Sequence, residues 1–171
     1  MRRLRYNVAM SLDGFIATPD GGYDWIPNDP TIDFDALFAG FDTFVMGRKT
    51  FMAMQAPGAM DPTAGRDVVV FSRTLDPAAF PKVRVTSEEP AGVVHELKTR
   101  TEGKDIWLFG GGQLFRTLLD AGVVDAVEVA VCPIMLSDGI PLLPPGVHSP
   151  RLTLTKHRVL PSGIVMLEYA T

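Results

Sequence analysis

Short apolar runs alternate with segments of helical spacing along most of the 171-residue chain. Apolar runs rich in valine, isoleucine and phenylalanine predict strands, and apolar residues three or four positions apart predict helices. The predicted strands are Tyr6–Ser11, Thr43–Met46, Val68–Phe71, Val83–Thr86, Asp105–Phe109 and Ala126–Cys132. The predicted helices are Asp33–Ala39, Lys49–Met54, Ala91–Arg100 and Gln113–Ala121.

The composition of these strands predicts how they are arranged. The runs TFVM, VVVF and IWLF are apolar on both faces, which is typical of parallel strands covered by helices on either side. Two longer strands flank the turn PSG near the end of the chain, which indicates antiparallel pairing there. We therefore expect an α/β fold of three layers, with a mostly parallel central sheet and an antiparallel C-terminal edge. Proline- and glycine-rich stretches at 55–66 and 135–150 read as loops, so residues 1–171 are predicted to form a single domain.

Charge and composition narrow the class of protein. The net charge of −4 gives no broad basic face, so no nucleic-acid partner is expected. No apolar stretch is long enough to cross a membrane, and the N-terminal segment is too polar for a secretory signal, which favours a cytoplasmic protein. The three histidines and the lone Cys132 are scattered without ligand spacing, so no metal site is predicted.

Polar or glycine-rich turns follow three of the predicted parallel strands, at Gly47–Thr50, Ser72–Arg73 and Gly110–Gly112. Because the carboxyl ends of parallel strands lie along one edge of a sheet, these turns are expected to meet at one crevice. Helix N-termini after Gly47 and Gly111 favour phosphate, and the neighbouring arginines and lysine add positive charge. Each turn alone is also explained as a solvated helix start or a simple tight turn. Their common placement after strands favours a bound dinucleotide.

Four motifs in this order resemble a known family. They are VAMSLDGFIA, VMGRKTF, VVVFSRTL and WLFGGGQLFRTLLDAGVVDAVEVAVCPIML. The chain resembles the dihydrofolate-reductase-like superfamily, and within it the reductase domain of the bacterial riboflavin-pathway deaminase/reductase. The resemblance covers nearly the whole chain and implies an NADPH-dependent reductase.

The resemblance also implies where the cofactor binds. The implied cofactor residues are Ala9, Ile16 and Ala17 at the nicotinamide, Gly47, Arg48, Lys49, Thr50, Gly110, Gly111, Gly112, Gln113 and Leu114 at the phosphates, and Ser72 and Arg73 at the adenosine 2′-phosphate. The peptide between Gly110 and Gly111 is implied to be cis.

The substrate side is less defined. In dihydrofolate reductases a carboxylate beside a tryptophan assists protonation, which makes Asp33 a candidate catalytic residue and Trp25 a candidate substrate contact. The alternative interpretation of Asp33 is a helix N-cap, a position that aspartate fills well. Asp13 in SLDG either faces the substrate or belongs to a turn, and Arg66 lies near where folate enzymes bind the glutamate tail, although simple solvation explains it better.

Three hypotheses for function remain from the sequence. The first is a reductase of a small heterocyclic or sugar-like substrate, similar to the riboflavin-pathway enzyme that reduces an aminouracil ribosylamino phosphate. The second is dihydrofolate reductase, and the third is a dinucleotide-binding module without turnover. The chain contains no His-x-Glu with Pro-Cys-x-x-Cys, so only the reductase half of the two-domain enzyme is expected. A homodimer through Ala126–Cys132 and the terminal strands fits the family, and an ordinary core explains those strands as well.

Overall fold

The computed structural model describes residues 1–56 and 62–171, and residues 57–61 of the predicted loop at 55–66 lie outside this description. Within the described residues the strands, in chain order, are β1 (Leu4–Ser11), β2 (Phe15–Ala17), β3 (Phe41–Gly47), β4 (Asp67–Phe71), β5 (Arg84–Thr86), β6 (Asp105–Gly110), β7 (Ala126–Cys132), β8 (Ile140–Pro141), β9 (Thr153–Val159) and β10 (Val165–Ala170). The α-helices in the same part of the chain are α1 (Phe34–Ala39), α2 (Arg48–Met54), α3 (Pro90–Thr99) and α4 (Gly112–Asp120). A short 3-10 helix spans Pro77–Ala79.

Eight of these strands form one sheet in the order β5-β4-β3-β6-β1-β7-β10-β9. All neighbours from β5 to β7 pair in parallel, whereas β10 is antiparallel to β7 and to β9. The predicted mostly parallel sheet with an antiparallel C-terminal edge is therefore confirmed. The strands β2 and β8 were not predicted and pair with each other in a separate two-stranded sheet.

Helices cover both faces of the sheet because its strands alternate apolar residues between two cores. Helices α3 and α4 pack their apolar residues against Ile106 and Leu108 of β6, together with Leu4 and Tyr6 of β1. The opposite face packs Trp107 of β6 against α1 and α2. This arrangement confirms the three-layer α/β architecture, and we refer to the second face as the Trp107 face.

A third apolar cluster lies under the loop that precedes α1. Trp25, Ile26 and Ile32 of this loop pack with Cys132 and Ile164. The loop is fixed at Asp29, whose carboxylate accepts hydrogen bonds from the backbone N–H of Ser162 at 3.0 Å and of Thr31 at 2.9 Å. Hydrogen bonds from Ser162 and Thr31 hold the pKa of Asp29 well below its ordinary value, so this anchor is charged at neutral pH.

Tyr6 is fully buried against α4, where its ring stacks on Phe115 with a centroid separation of 3.9 Å. Its hydroxyl has no hydrogen-bond partner among the described residues. A buried hydroxyl without a partner costs about 1–3 kcal/mol.

We therefore expect Tyr6→Phe to leave the free energy of unfolding unchanged or to raise it by about 1 kcal/mol in urea denaturation. The exposed Tyr23 supplies the matched control, since Tyr23→Phe should have no effect. A clear loss of stability in Tyr6→Phe alone would mean that the hydroxyl is partnered.

No helix in residues 1–56 or 62–171 combines the length and the apolar character needed to cross a membrane.

Candidate functional site

Three turns meet at the carboxyl edge of the sheet because β4, β3 and β6 are adjacent and parallel. Met46 of β3 is paired with Gly110, and Gly47 is paired with Phe71, the residue before Ser72. The predicted convergence of Gly47, Ser72 and Gly110 is thus confirmed. We call the region bounded by these turns the glycine crevice.

Helix α2 opens toward this crevice without a side-chain cap. Gly47 is its N-cap, and no side chain accepts from the first backbone N–H groups. Arg48 and Lys49 are exposed, and neither forms a hydrogen bond or ion pair with the described part of the chain. Thr50 lies against the glycine run, since a Cβ added at Gly111 would be 3.4 Å from its Oγ1. Free N–H donors and two mobile cations therefore stand on this side of the crevice.

Within the run Gly110–Gly112, Gly110 and Gly112 each require glycine for a different structural reason. The peptide between Gly110 and Gly111 is cis, as the family resemblance implies, and Gly110 has a φ of +125° that favours glycine. A Cβ at Gly112 would lie 2.8 Å from the carbonyl oxygen of Pro141 and 3.2 Å from that of Leu142. The close approach of the loop at 141–144 therefore explains why residue 112 is glycine, and no ligand is needed to explain it.

Helix α4 also begins without a side-chain cap, with Gly111 as its N-cap. The side chain of Gln113 is exposed, whereas Leu114 is buried in the core with α3. Leu114 can therefore contribute only its backbone N–H to the crevice. The roles of these residues toward a cofactor stay predictions.

Ser72 and Arg73 follow β4 at the far side of the crevice. The Ser72 hydroxyl oxygen accepts hydrogen bonds from the backbone N–H groups of Thr74 at 3.2 Å and Leu75 at 3.0 Å. This closes a turn and leaves the hydroxyl hydrogen free to donate. Arg73 is exposed and forms no ion pair or hydrogen bond with residues 1–56 and 62–171. An unpaired guanidinium at this place can receive an anion.

The predicted nicotinamide residues lie on β1 and β2. Ala9 is half-buried and packs against the Cys132 cluster, and Ile16 and Ala17 lie in β2. Strand β2 is held by its pairing with β8, in which Ala17 faces Ile140. These three residues are therefore on ordered backbone beside the carboxyl end of β1.

Asp13 is occupied by contacts that hold a loop. Its Oδ1 accepts from the Ser11 hydroxyl at 2.6 Å and the Leu136 N–H at 3.0 Å, and its Oδ2 accepts from the Ser137 N–H at 2.7 Å. These hydrogen bonds hold the pKa of Asp13 below its ordinary value. A general acid needs its pKa raised toward the working pH, so the catalytic role of Asp13 stays a prediction that its surroundings do not favour.

Asp33 and Trp25 occupy separate places before α1. Asp33 is exposed and is the N-cap of α1, where its Oδ1 accepts from the Ala36 N–H at 2.8 Å. Trp25 donates its indole N–H to the carbonyl oxygen of Gly22 at 3.2 Å. The hydrogen-bond donors to Asp33 and to Asp13 are different residues, so these contacts do not link the two carboxylates. The N-cap interpretation of Asp33 is confirmed, and its part in catalysis stays a prediction.

Sequence reasoning missed a polar cluster on the Trp107 face. Arg5 donates to Glu128 through Nε at 2.5 Å and through a terminal nitrogen at 2.9 Å, and Asn7 donates its amide to the same carboxylate at 2.7 Å. Glu128 is buried, with only 7% of its side chain exposed. The available signal was the charged residue inside the apolar run VEVAV, opposite polar residues at alternate positions of β1.

Comparison with known proteins places this geometry in a family. Residues 2–166 match the model of the RibD C-terminal domain. The chain belongs to the RibD C-terminal domain family. The structure of a putative riboflavin biosynthesis protein from Shewanella sp. PV-4 superposes with a TM-score of 0.83 at 25% identity, covering 99% of this chain and 98% of that one. The family match thus covers almost the whole of this chain.

Relatives of the RibD C-terminal domain occur alone and within longer chains. The uncharacterized protein YyaP of Bacillus subtilis (strain 168) is 32% identical over 98% of this chain and 94% of its own. The riboflavin biosynthesis protein RibD of Mycobacterium tuberculosis is 29% identical over 77% of this chain, which corresponds to 42% of its length. The chain therefore spans less than half of that RibD relative.

Proposed function

We propose that this protein is an NADPH-dependent reductase that transfers a hydride to a small heterocyclic or sugar-like substrate, as riboflavin-pathway reductases do. The observation that carries the proposal is the pair of uncapped helix starts at Gly47 and Gly111 on adjacent parallel strands. Unpaired N–H groups and the positive ends of two helices favour the same anion. Membership of the RibD C-terminal domain family supports an oxidoreductase.

The residues around the glycine crevice fit a dinucleotide. Among the described residues outside the glycine run, only the Thr50 hydroxyl comes within 4 Å of a Cβ added at Gly110 or Gly111, so the backbone there is open to a ligand. The exposed Arg48 and Lys49 stand beside the proposed pyrophosphate position, and Arg73 stands at the proposed 2′-phosphate position. This arrangement supplies positive charge at the edge of an otherwise acidic protein.

The chemistry of the proposed reaction divides between cofactor and chain. When bound, NADPH supplies the hydride, so the protein needs no nucleophile of its own. The chain aligns the ring near Ala9, Ile16 and Ala17 and excludes water from it. Asp33, whose carboxylate accepts the N-cap hydrogen bond from Ala36 whereas that of Asp13 accepts three, is the proposed proton-handling group.

A folate substrate receives less support from the structure than an aminouracil-like one. Arg66, the candidate for a glutamate-tail contact, donates to the carbonyl oxygens of Pro62 at 2.9 Å, Phe41 at 3.3 Å and Phe38 at 3.4 Å. Most of its N–H donors are thus committed to the backbone.

The cofactor proposal predicts that Arg73→Ala weakens NADPH binding by about 10–100-fold and leaves NADH binding unchanged. The reason is that a hydrogen bond to a charged group contributes about 1.5–3 kcal/mol, and only NADPH carries the 2′-phosphate. Fluorescence titration of each variant with both cofactors measures the effect. Arg158→Ala is the matched control, because Arg158 is exposed on β9 at the other edge of the sheet. Equal loss for both cofactors, or no loss for either, contradicts the role of Arg73.

The substrate is then tested by the decrease in NADPH absorbance against aminouracil ribosylamino phosphate and dihydrofolate. Oxidation with the first compound alone supports the proposal. Oxidation with dihydrofolate that is lost in Asp33→Asn supports dihydrofolate reductase instead. Tight NADPH binding without oxidation by any pterin, flavin or pathway intermediate identifies a binding module.

A further inference from the structure

The Arg5, Asn7 and Glu128 cluster fixes which end of the Asn7 amide is free. The Asn7 amide donates its N–H₂ group to the Glu128 oxygen that also accepts from Arg5. The carbonyl oxygen of Asn7 therefore faces away from Glu128. Arg5 donates to both carboxylate oxygens and so fixes the orientation of the Glu128 side chain.

The free oxygen of Asn7 is not fully buried. Oδ1 accepts no hydrogen bond from any described residue, and it is not one of the buried polar atoms that lack a partner. Asn7 itself is only half-buried. An oriented acceptor is thus available on the Trp107 face of β1.

Asn7 lies next to the place proposed for the reactive ring of the cofactor. Alternate residues of a strand share a face, so Asn7 and Ala9 lie on the same side of β1, about 7 Å apart. Trp107 lies on the adjacent strand β6, and its indole N–H donates to the backbone carbonyl oxygen of Asn7 at 3.0 Å. Phe109, half-buried on the same face, contacts that indole with a centroid separation of 5.6 Å. A flat ring placed against the nicotinamide would meet an aromatic side chain and an acceptor here.

We propose that Asn7 Oδ1 determines substrate specificity by accepting a hydrogen bond from an N–H group of a planar, amino-substituted heterocycle. Glu128 and Arg5 are positioning residues that keep this oxygen turned toward the substrate. The inference rests on the proposed function. It adds that the edge of the substrate ring facing Asn7 carries a hydrogen-bond donor. A ring that presents a carbonyl oxygen there leaves two acceptors facing each other, which is costly in a site shielded from water.

The test compares 6-aminouracil with 1,3-dimethyl-6-(dimethylamino)uracil, which has no N–H group. Calorimetric titrations are made with and without NADP⁺ for the wild type, Asn7→Leu, Glu128→Gln and Glu168→Gln. Asn7→Leu removes the acceptor and keeps the number and branching of the side-chain heavy atoms. Glu128→Gln allows the new amide to donate to Asn7, which turns the Asn7 amide over. Glu168→Gln is the matched control, since Glu168 lies opposite Glu128 on β10 and pairs with Lys156 at 3.4 Å.

We expect Asn7→Leu and Glu128→Gln to weaken 6-aminouracil binding by about 10-fold or more, which corresponds to a lost hydrogen bond of about 1.4 kcal/mol. Binding of the methylated compound should not weaken, and Glu168→Gln should behave as the wild type. Thermal midpoints identify variants that fail to fold, and Glu128→Gln retains the acceptor for Arg5. The inference is overturned if both compounds respond alike to the substitutions, or if wild-type protein does not bind 6-aminouracil. If Asn7-dependent binding of 6-aminouracil is found without any binding of NADPH, the proposed function fails and the inference stands.

Discussion

We expect Arg5→Leu to lower the free energy of unfolding by about 3–5 kcal/mol. The substitution leaves the buried carboxylate of Glu128 without the guanidinium that binds both of its oxygens. Removing one partner of a buried ion pair costs far more than the pair contributes, because the remaining charge is neither solvated nor compensated. Urea denaturation measures the loss, and the thermal midpoint should fall by about 10 °C.

Arg3→Leu is the matched control for this prediction. Arg3 also pairs with Asp105, but 58% of its side chain is exposed, so its removal should cost less than about 1 kcal/mol. The double variant Arg5→Leu, Glu128→Leu should recover most of the lost stability, since it removes the charge as well as its partner. If the two arginine variants lose equal stability, Glu128 is better solvated than its burial indicates.

The same cluster shows why β1 is longer than its sequence pattern predicts. The predicted strand begins at Tyr6, whereas β1 begins at Leu4 and includes Arg5. A charged residue ends an apolar pattern, and its partner Glu128 is 123 positions away. One sequence without an alignment does not reveal such a pairing. Strand β7, whose pattern is apolar almost throughout, has the predicted bounds Ala126–Cys132.

Short strands and loop contacts could not be predicted from the sequence, because they also depend on contacts between distant segments. Strands β2 and β8 contain three and two residues, too few to show a period, and exist because distant segments pair. Asp13 was predictable as a turn residue or a substrate contact, but its acceptance from Leu136 and Ser137 depends on a loop far along the chain. The convergence of the three turns was predictable because it follows from parallel topology alone.

The glycine run leads to the second large effect, which is expected in Gly112→Ala. The new Cβ would lie 2.8 Å from the Pro141 oxygen, 3.1 Å from Pro144 Cδ and 3.2 Å from the Leu142 oxygen. Two of these atoms belong to backbone, so neither can move without displacing the loop. We expect the free energy of unfolding to fall by about 3 kcal/mol, the upper part of the usual range for overpacking.

Gly92→Ala is the control because it makes the same chemical change near the start of another helix. Gly92 lies in α3, and an added Cβ would meet only the flexible Glu89 carboxylate at 3.6 Å. Alanine is a better helix former, so this variant should gain about 0.5–1 kcal/mol. Urea denaturation without cofactor measures the change in the free energy of unfolding. A decrease in Gly112→Ala with an increase in Gly92→Ala would show that the loop at 141–144 requires glycine at 112. If Gly112→Ala is as stable as the wild type and weakens only NADPH binding, then glycine at 112 is required by the ligand, and all three residues of the run serve the crevice.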